Sequence, residues 1–263
     1  MIYIRNKKEK KKGRLNFSSL LLLILSLCIA GYCVRKLYTP LNQYYLGQKE
    51  NNEIRKKAVK KSKNNGPSDE KRALSRYINF GYLKRLNSDV IGWIWVPGTS
   101  IDYPILRNSD TQYYLHRNIY RHYRYSGSIF MDSVCSPDFS SDNTILYGHN
   151  MKDGSMFATL NRYGRKGFMQ KHPGVYIYTP GKERMVKCYK AFSYNITLQS
   201  GTLYTDHPDS FEKYVSRARL GAQVSHAPEG KDKTLMLSTC YTGHDQYRRV
   251  LFTVHEKDVK RYK

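Results

Sequence analysis

The apolar residues of this 263-residue chain form one long run near its start and a series of short runs after residue 90. The long run extends from Phe17 to Val34 and is closed by Arg35 and Lys36. About 18 residues are just enough for a helix to cross a hydrocarbon core of roughly 30 Å. A cleaved signal peptide is the alternative, but the run is long and no small-residue cleavage site follows it. We therefore expect a transmembrane anchor over residues 17–34.

The segments on either side of this run are polar and basic. Residues 1–16 contain seven Lys or Arg residues and one acidic residue, Glu9. Because positively charged flanks stay on the cytoplasmic side, we expect a basic cytoplasmic tail and a single-pass protein of the cell membrane. Residues 35–70 are polar and rich in lysine, which predicts a tether. The compact domain is then expected over residues 71–263, outside the cell.

The short runs that follow predict a mostly β domain. Eight or so short strands with turn residues between them are typical of a sandwich or a barrel. The predicted strands cover residues 91–96, 101–105, 127–132, 144–147, 174–178, 184–194, 234–237 and 250–254.

Two helices are predicted within or beside this set of strands. Apolar residues recur at helical spacing from Ser75 to Leu86. A second helix is predicted over 209–220, where Ser210 lies in a capping box and Gly221 ends the pattern. This helix would be inserted before the strand that ends at Cys240.

Composition and charge narrow the class of protein. The chain is 40% hydrophobic and 13% aromatic, which allows a packed core, and its formal net charge is +24. Residues 1–65 hold 16 of the 45 Lys and Arg residues but three of the 21 acidic ones. Cations that flank an apolar segment suit an anionic membrane surface. No recognisable nucleic-acid-binding motif accompanies them, so we expect no nucleic-acid partner.

The five cysteines form no C-x-x-C pair, which disfavours a zinc site or a thioredoxin-like motif. The irregular spacing of Cys135 and Cys188 also disfavours a disulfide between them. The sequence has no acidic cluster suited to calcium. We therefore expect neither a metal nor another cofactor.

A thiol, an imidazole and a guanidinium each lie at the end of a predicted strand. Cys240 ends the run from Thr234 and precedes a polar loop, and His149 ends the run from Asn143. Arg248 and Arg249 begin the last strand, and alternation places them on opposite faces. A thiolate can attack a carbonyl, an imidazole can move a proton and a cation can stabilise an oxyanion. Taken alone, Cys240 could equally be a buried core cysteine and His149 a surface histidine.

The motifs around these residues occur in a specific order. The three central ones are Tyr147-Gly148-His149-Asn150-Met151, Leu237-Ser238-Thr239-Cys240 and Arg248-Arg249-Val250-Leu251-Phe252. Four further stretches are Gly92–Thr99, Tyr113–His116, Gly127–Asp132 and Asp153–Phe157. Together they resemble class B sortases, membrane-anchored cysteine transpeptidases of Gram-positive bacteria. The resemblance covers roughly residues 75–255 and implies an eight-stranded sortase-type β-barrel with N-terminal helices.

The resemblance also implies roles for individual residues. Cys240 would be the nucleophile, His149 the general acid and base, and Arg248 the group that binds the substrate carbonyl and its oxyanion. Arg248 is preferred to Arg249 from its position relative to the apolar stretch that resumes at Val250. The substrate groove would be lined by Thr111, Leu115, Tyr147, Ser238, Thr202 and Leu203.

The expected activity is that of a cysteine transpeptidase. It would cleave a C-terminal sorting signal after Thr through a thioacyl-enzyme, and join the cleaved surface protein to an amine of peptidoglycan or of a pilin. A cysteine peptidase that hydrolyses its substrate remains an alternative. So does a non-catalytic, membrane-anchored protein that binds wall polymer through its basic, Tyr-rich surface.

Overall fold

The computed structural model describes residues 16–61, 68–181, 184–198, 203–224, 228, 233–240 and 246–261; residues 61, 184, 240, 260 and 261 are described through their backbone alone. The chain divides into two compact units, Met1–Asn42 and Gln43–Lys263. Helix α1, Phe17–Ala58, begins in the first unit and ends in the second.

The first unit consists of the N-terminal part of α1 within the described residues. Its apolar side chains, from Phe17 to Leu41, are exposed. By length and composition this helix could cross a membrane. The prediction of an anchor over 17–34 is compatible with this finding.

Eight strands of the second unit form a closed barrel. The barrel strands are β3 Val90–Trp95, β4 Asp102–Leu106, β5 Ile129–Met131, β6 Asn143–Tyr147, β7 Gly174–Thr179, β8 Arg184–Leu198, β10 Thr234–Cys240 and β11 Tyr247–Arg261. The sheet order is β11-β10-β6-β5-β4-β3-β7-β8, and a pairing between β8 and β11 closes it. The β6–β10 and β4–β5 pairs are parallel and the other pairs are antiparallel. This confirms the predicted mostly β fold with an eight-stranded barrel.

The remaining elements surround this barrel. Strands β1 and β2 pair with each other, and β9 extends the sheet beside β8. The helix predicted over 209–220 is present as α5, whose Ser210 cap accepts a hydrogen bond from the Lys213 amide. These elements are β1 Val59–Lys61, β2 Arg76–Ile78, β9 Gln223–Val224, α2 Asp69–Leu74, α3 Phe80–Leu86, α4 Phe168–Lys171, α5 Phe211–Arg219 and a 3-10 helix Ala158–Gly164.

The helix predicted over 75–86 is interrupted, which corrects that prediction. Residues Arg76–Ile78 form strand β2, and a new helix starts after Asn79, whose side chain accepts a hydrogen bond from the Tyr82 amide. The cause is a tertiary ion pair: Arg76 is buried, and its Nη2 lies 2.5 Å from Oδ1 of Asp102. An extended backbone at Arg76 allows this pair and the pairing with β1.

The C-terminal part of α1, residues 43–58, belongs to the second unit. The predicted tether over 35–70 is therefore wrong for residues 43–58. Ile54 is 1% exposed and Ala58 is completely buried. Gln48 Nε2 donates to Asp153 Oδ2 at 2.9 Å, and Arg55 Nε donates to the Asp102 carbonyl at 3.1 Å. The domain therefore starts near Gln43 and not near residue 71.

Glu50 of helix α1 makes polar contacts with the loop between β4 and β5. Its carboxylate accepts hydrogen bonds from Arg124 Nη2 at 2.5 Å and Arg124 Nε at 3.0 Å. Asn118 Nδ2 donates to the same carboxylate at 2.8 Å. Both charged side chains are mostly shielded from water, so this pair is stronger than an exposed surface ion pair.

Glu50→Ala is expected to lower the free energy of unfolding by about 1–3 kcal/mol, because Arg124 and Asn118 lose a charged partner. Urea-induced unfolding of the second unit measures this effect. Glu53→Ala is the matched control, since Glu53 lies one turn further along α1 and is exposed. Equal effects of the two substitutions would contradict a specific role for Glu50.

Candidate active site

The parallel pairing of β6 and β10 brings the two predicted catalytic segments together. Tyr147 is the register partner of Ser238, and the Gly148 amide donates to the Ser238 carbonyl at 3.2 Å. His149 and Cys240 each follow this pair by two residues. Because paired strands lie about 4.8 Å apart, the backbones of His149 and Cys240 are neighbours at this end of the barrel.

The third predicted residue is brought in by β11. Arg248 is the antiparallel register partner of Cys240, and Arg249 is the partner of Thr239. Directly opposite positions on neighbouring strands share a face of the sheet. Arg248 and Cys240 therefore occupy the same face at the strand ends.

The two adjacent arginines have different surroundings. Arg248 lines the same cavity as His149. Arg249 instead donates a hydrogen bond to Oδ1 of Asn161 in the 3-10 helix. The alternation expected from the sequence is thus present, with Arg248 on the side of the His149 cavity.

This cavity has a volume of about 290 Å³ and lies at the ends of β6 and β10. It collects four of the predicted groove residues: Thr111, Leu115, Tyr147 and Ser238. The remaining lining residues are Gln112, Phe130, Asp132, Gly148, His149, Thr239 and Arg248.

Two predicted groove residues are not among those that line the cavity. Leu203 packs against the main core, and its carbonyl accepts a hydrogen bond from Asn143 Nδ2 at 3.0 Å. Thr202 lies outside the described residues. The neighbouring Tyr204, which sequence reasoning missed, contacts the cavity residues instead: its hydroxyl lies 3.0 Å from Ser238 Oγ and its ring stacks on Tyr147.

His149 is held by a backbone carbonyl. Its Nε2 lies 2.7 Å from the Leu115 oxygen. Because a carbonyl oxygen accepts and does not donate, Nε2 carries a hydrogen and Nδ1 is the basic nitrogen of the neutral ring. The His116 ring stacks on the His149 ring, with the two ring centroids 5.2 Å apart. The imidazole therefore has a fixed tautomer and a fixed plane.

Glycine is required for the loop that supplies this carbonyl. Gly127 has a φ of 52°, and a Cβ at this position would lie 2.1 Å from the Leu115 oxygen. Gly127 thus allows the backbone to approach the residue that orients His149. The sequence shows the glycine but not this role, because residues 115 and 127 meet only in the folded loop.

A polar network forms another part of the cavity wall. Tyr147 donates through its hydroxyl to Asp132 Oδ2 at 2.8 Å. Thr111 donates to Asp132 Oδ1 at 3.1 Å. Burial, reinforced by the Asp132 charge, raises the pKa of Tyr147, so the phenol stays protonated. Asp132 ends the Gly127–Asp132 stretch, but nothing in the sequence indicated that its carboxylate would accept hydrogen bonds from Tyr147 and Thr111.

Metal ligands and disulfides are not features of the described residues. No group of three or more His, Cys, Asp or Glu side chains in the described part of the chain could hold a metal ion. Cys135 and Cys188 are buried free thiols. Burial raises the pKa of Cys135 to about 12 and that of Cys188 to about 11, so neither thiol is poised for reaction at neutral pH.

Comparison with known proteins agrees with this arrangement. The family model of the sortase domain matches residues 94–256. The chain belongs to the sortase family. It is 39% identical to sortase B of Listeria monocytogenes over 168 residues, which are 62% of this chain and 67% of the Listeria protein.

Solved structures of class B sortases share the barrel. The structure of sortase B from Bacillus anthracis has a TM-score of 0.65 and 26% identity, covering 82% of this chain and 100% of that one. A Streptococcus pyogenes class B sortase involved in pilus biogenesis has a TM-score of 0.61 and 27% identity, covering 68% of this chain and 98% of that one. The chain is thus a sortase-type cysteine transpeptidase of class B.

The pH profile of this sortase should reflect the surroundings of His149. Burial lowers the pKa of His149, and the charges of His116 and Arg248 act in the same direction, while the Leu115 carbonyl opposes them. Since the imidazolium is disfavoured, a lower pH is needed to protonate the ring. We expect the acid limb of kcat/KM to have its midpoint below the ordinary histidine value of about 6.5.

Rates measured from pH 4 to 9 locate this limb. NMR titration of His149 in the Cys240→Ala protein measures its pKa without coupling to the thiol. An acid limb or a His149 midpoint above about 6.5 would contradict the effect of burial.

Proposed function

We propose that this sortase cleaves a C-terminal sorting signal after Thr and transfers the cleaved protein to an amine. The supporting observation is that β6, β10 and β11 bring His149, Cys240 and Arg248 to one end of the barrel. Three residue types suited to acyl transfer are thus brought to the same end of the barrel, although they come from distant parts of the sequence.

Cys240 is the proposed nucleophile. Its thiolate attacks the carbonyl carbon of the Thr residue, the peptide bond breaks and a thioacyl-enzyme forms. The second half of the signal leaves as an amine. An incoming amine then attacks the thioacyl carbon, the C–S bond breaks and the thiolate is restored.

His149 is the proposed acid and base. It gives a proton to the leaving amine and removes one from the incoming amine. The Leu115 carbonyl holds Nε2–H, so Nδ1 is the nitrogen that exchanges this proton. Because burial lowers the pKa of His149, the imidazole is mainly neutral at pH 7, and the thiolate–imidazolium pair is a minor population.

Arg248 is the proposed oxyanion partner. Its guanidinium lines the cavity beside His149 and is brought there by pairing with the strand that carries Cys240. A fixed cation at this place stabilises negative charge on the substrate carbonyl oxygen in the transition state. Thr111, Leu115, Tyr147 and Ser238, which line this cavity, would bind the sorting motif.

The proposed donors are surface proteins with a motif of the Asn/Ser/Leu-Pro-x-Thr-Gly/Asn kind. The proposed acceptor is an amine of peptidoglycan or of a pilin. One solved relative is described as involved in pilus biogenesis, so both acceptors deserve testing. An anchor over 17–34 would hold the enzyme in the cell membrane with its N-terminus in the cytoplasm and its barrel outside, where such proteins are displayed.

Mass spectrometry of the full chain in detergent tests this proposal. The protein is incubated with peptides that carry sorting motifs, and intact mass and peptide mapping follow. We expect an acyl adduct on Cys240 that ends at Thr and is released by hydroxylamine, as a thioester is. Peptides with a scrambled motif serve as controls. Cleavage without an adduct, or an adduct on another residue, would contradict the thioacyl route.

A further inference from the structure

A second cavity begins at Asn150, the residue that follows His149. It has a volume of about 710 Å³. Its walls come from the turn after β3, from the loop after β6 and from the 3-10 helix with the residue that follows it. The loop that carries His149 therefore borders two cavities, and the first of them is the proposed site for the donor peptide.

The cavity is basic. Lys152, Arg162 and Arg165 line it, and all three are exposed. Within the described residues none of them forms an ion pair, and no Asp or Glu lines the cavity. Asp153 is not a lining residue, and its carboxylate accepts hydrogen bonds from Gln48 and Ser155. The cavity thus offers positive charge to a ligand.

The uncharged part of the wall is fixed by hydrogen bonds. Asn161 Nδ2 donates to Asn150 Oδ1 at 2.8 Å, and Asn161 Oδ1 accepts from Arg249. Ser100 Oγ and Thr159 Oγ1 lie 2.6 Å apart. Arg162 stacks over the Phe168 ring, 4.5 Å from its centroid. These contacts hold the polar groups in place before a ligand arrives.

We propose that this cavity binds the acceptor of the transfer reaction, and that the acceptor is a peptide amine that carries a carboxylate. The inference rests on the proposed function, in which His149 removes a proton from the acceptor. The amine end would enter beside Asn150, and the carboxylate would bind Arg162 and Arg165.

The chemistry of the step favours this orientation. The amine nitrogen attacks the thioacyl carbon, the C–S bond breaks, the sulfur leaves as thiolate and the amine proton passes to His149. An acceptor must therefore place nitrogen next to His149, while its anionic group can lie further along the cavity. A wall polymer of phosphodiesters would match the cations but brings no amine to His149.

Two acceptors that differ in one group test the proposal. Triglycine and triglycine amide have the same amine, and only triglycine carries a carboxylate. The full chain in detergent is given a sorting peptide and either acceptor, and both transfer and hydrolysis are measured. For the double variant Arg162→Gln/Arg165→Gln we expect the KM of triglycine to rise about five- to tenfold, as for the loss of two exposed ion pairs.

The same variant should leave the KM of triglycine amide and the rate of hydrolysis unchanged. Lys166→Gln/Lys171→Gln is the matched control, since it removes two exposed charges from the same segment outside the cavity. This control should leave the KM of triglycine, the KM of triglycine amide and the rate of hydrolysis unchanged. Added salt should reduce the difference between the acceptors in the unchanged protein.

The outcomes separate this proposal from the proposed function. If the unchanged protein does not cleave the sorting peptide, the proposed function fails and this proposal fails with it. If cleavage is intact but both acceptors respond equally to the arginine substitutions, the acceptor site alone is overturned. Competition by a glycerol phosphate oligomer, without discrimination between the acceptors, would reassign the cavity to a wall polymer and also overturn it.

Discussion

Cys240→Ala is expected to lower the rate of sorting-peptide cleavage by about 10⁴-fold or more, because the covalent route is lost when its nucleophile is removed. Cleavage of a fluorogenic sorting peptide by the full chain measures the effect. Because Cys240 lies at the end of β10, the barrel should stay folded, which circular dichroism and thermal unfolding can verify.

Cys188→Ala is the matched control for this substitution. Cys188 is a buried free thiol on β8, away from the strand ends that form the active site. Its replacement should keep the cleavage rate within about twofold of that of the unchanged protein and should lower the free energy of unfolding instead. Retained activity in Cys240→Ala, or an equal loss in both proteins, would overturn the role of Cys240.

Arg248→Gln is expected to lower kcat by about 10²- to 10³-fold, as for the loss of a group that stabilises an oxyanion. Arg249→Gln should retain hydrolysis of the sorting peptide within a few-fold. The reason is the alternation along β11, which places Arg248 in the cavity of His149 and Arg249 against Asn161.

Arg249→Gln should instead lower the free energy of unfolding by about 1–3 kcal/mol, because Asn161 loses a charged donor. Steady-state kinetics and urea unfolding of the two variants separate the effects. If Arg249→Gln has the larger catalytic effect, the assignment of the oxyanion partner must be exchanged between the two arginines.

The barrel was predictable because its strands carry local signals. Short apolar runs separated by turn residues gave all eight barrel strands, with boundaries that shifted by a few residues at most ends. The far end of β11 was missed, since Glu256 to Lys260 reads as a polar surface segment. Strand β8 also continues beyond the predicted end at Tyr194, as far as Leu198. Their long antiparallel pairing, which closes the barrel, comes from contacts distant in sequence.

The packing of α1 on the barrel could not be predicted from local pattern. Residues 43–58 are mostly polar, and a polar lysine-rich stretch is typical of a tether. Their partners, Arg124 and Asp153, lie about 70 to 105 residues away along the chain. Nothing in the spacing of the residues themselves indicates these pairs.

The residue types at the candidate active site were predictable from the sequence, but the groups that hold them in place were not. Strand ends indicated His149 and Cys240, and alternation separated Arg248 from Arg249. The Leu115 carbonyl and the His116 ring contact His149, and Tyr204 contacts Ser238. These three residues lie in loops, whose conformation has no periodic signal in the sequence. Residues in such loops become identifiable once the fold brings them together.

The docking of α1 bears on how a soluble form of this enzyme should be produced. A recombinant fragment that starts near residue 70, as the polar pattern would suggest, lacks Ile54 and Ala58 and uncovers the surface they bury. It also lacks Gln48, which contacts the loop that carries His149, and Glu50, which contacts the loop that supplies the Leu115 carbonyl to the His149 ring. Expression boundaries should therefore be set at or before Gln43, so that weak activity of a shorter fragment is not mistaken for a property of the enzyme.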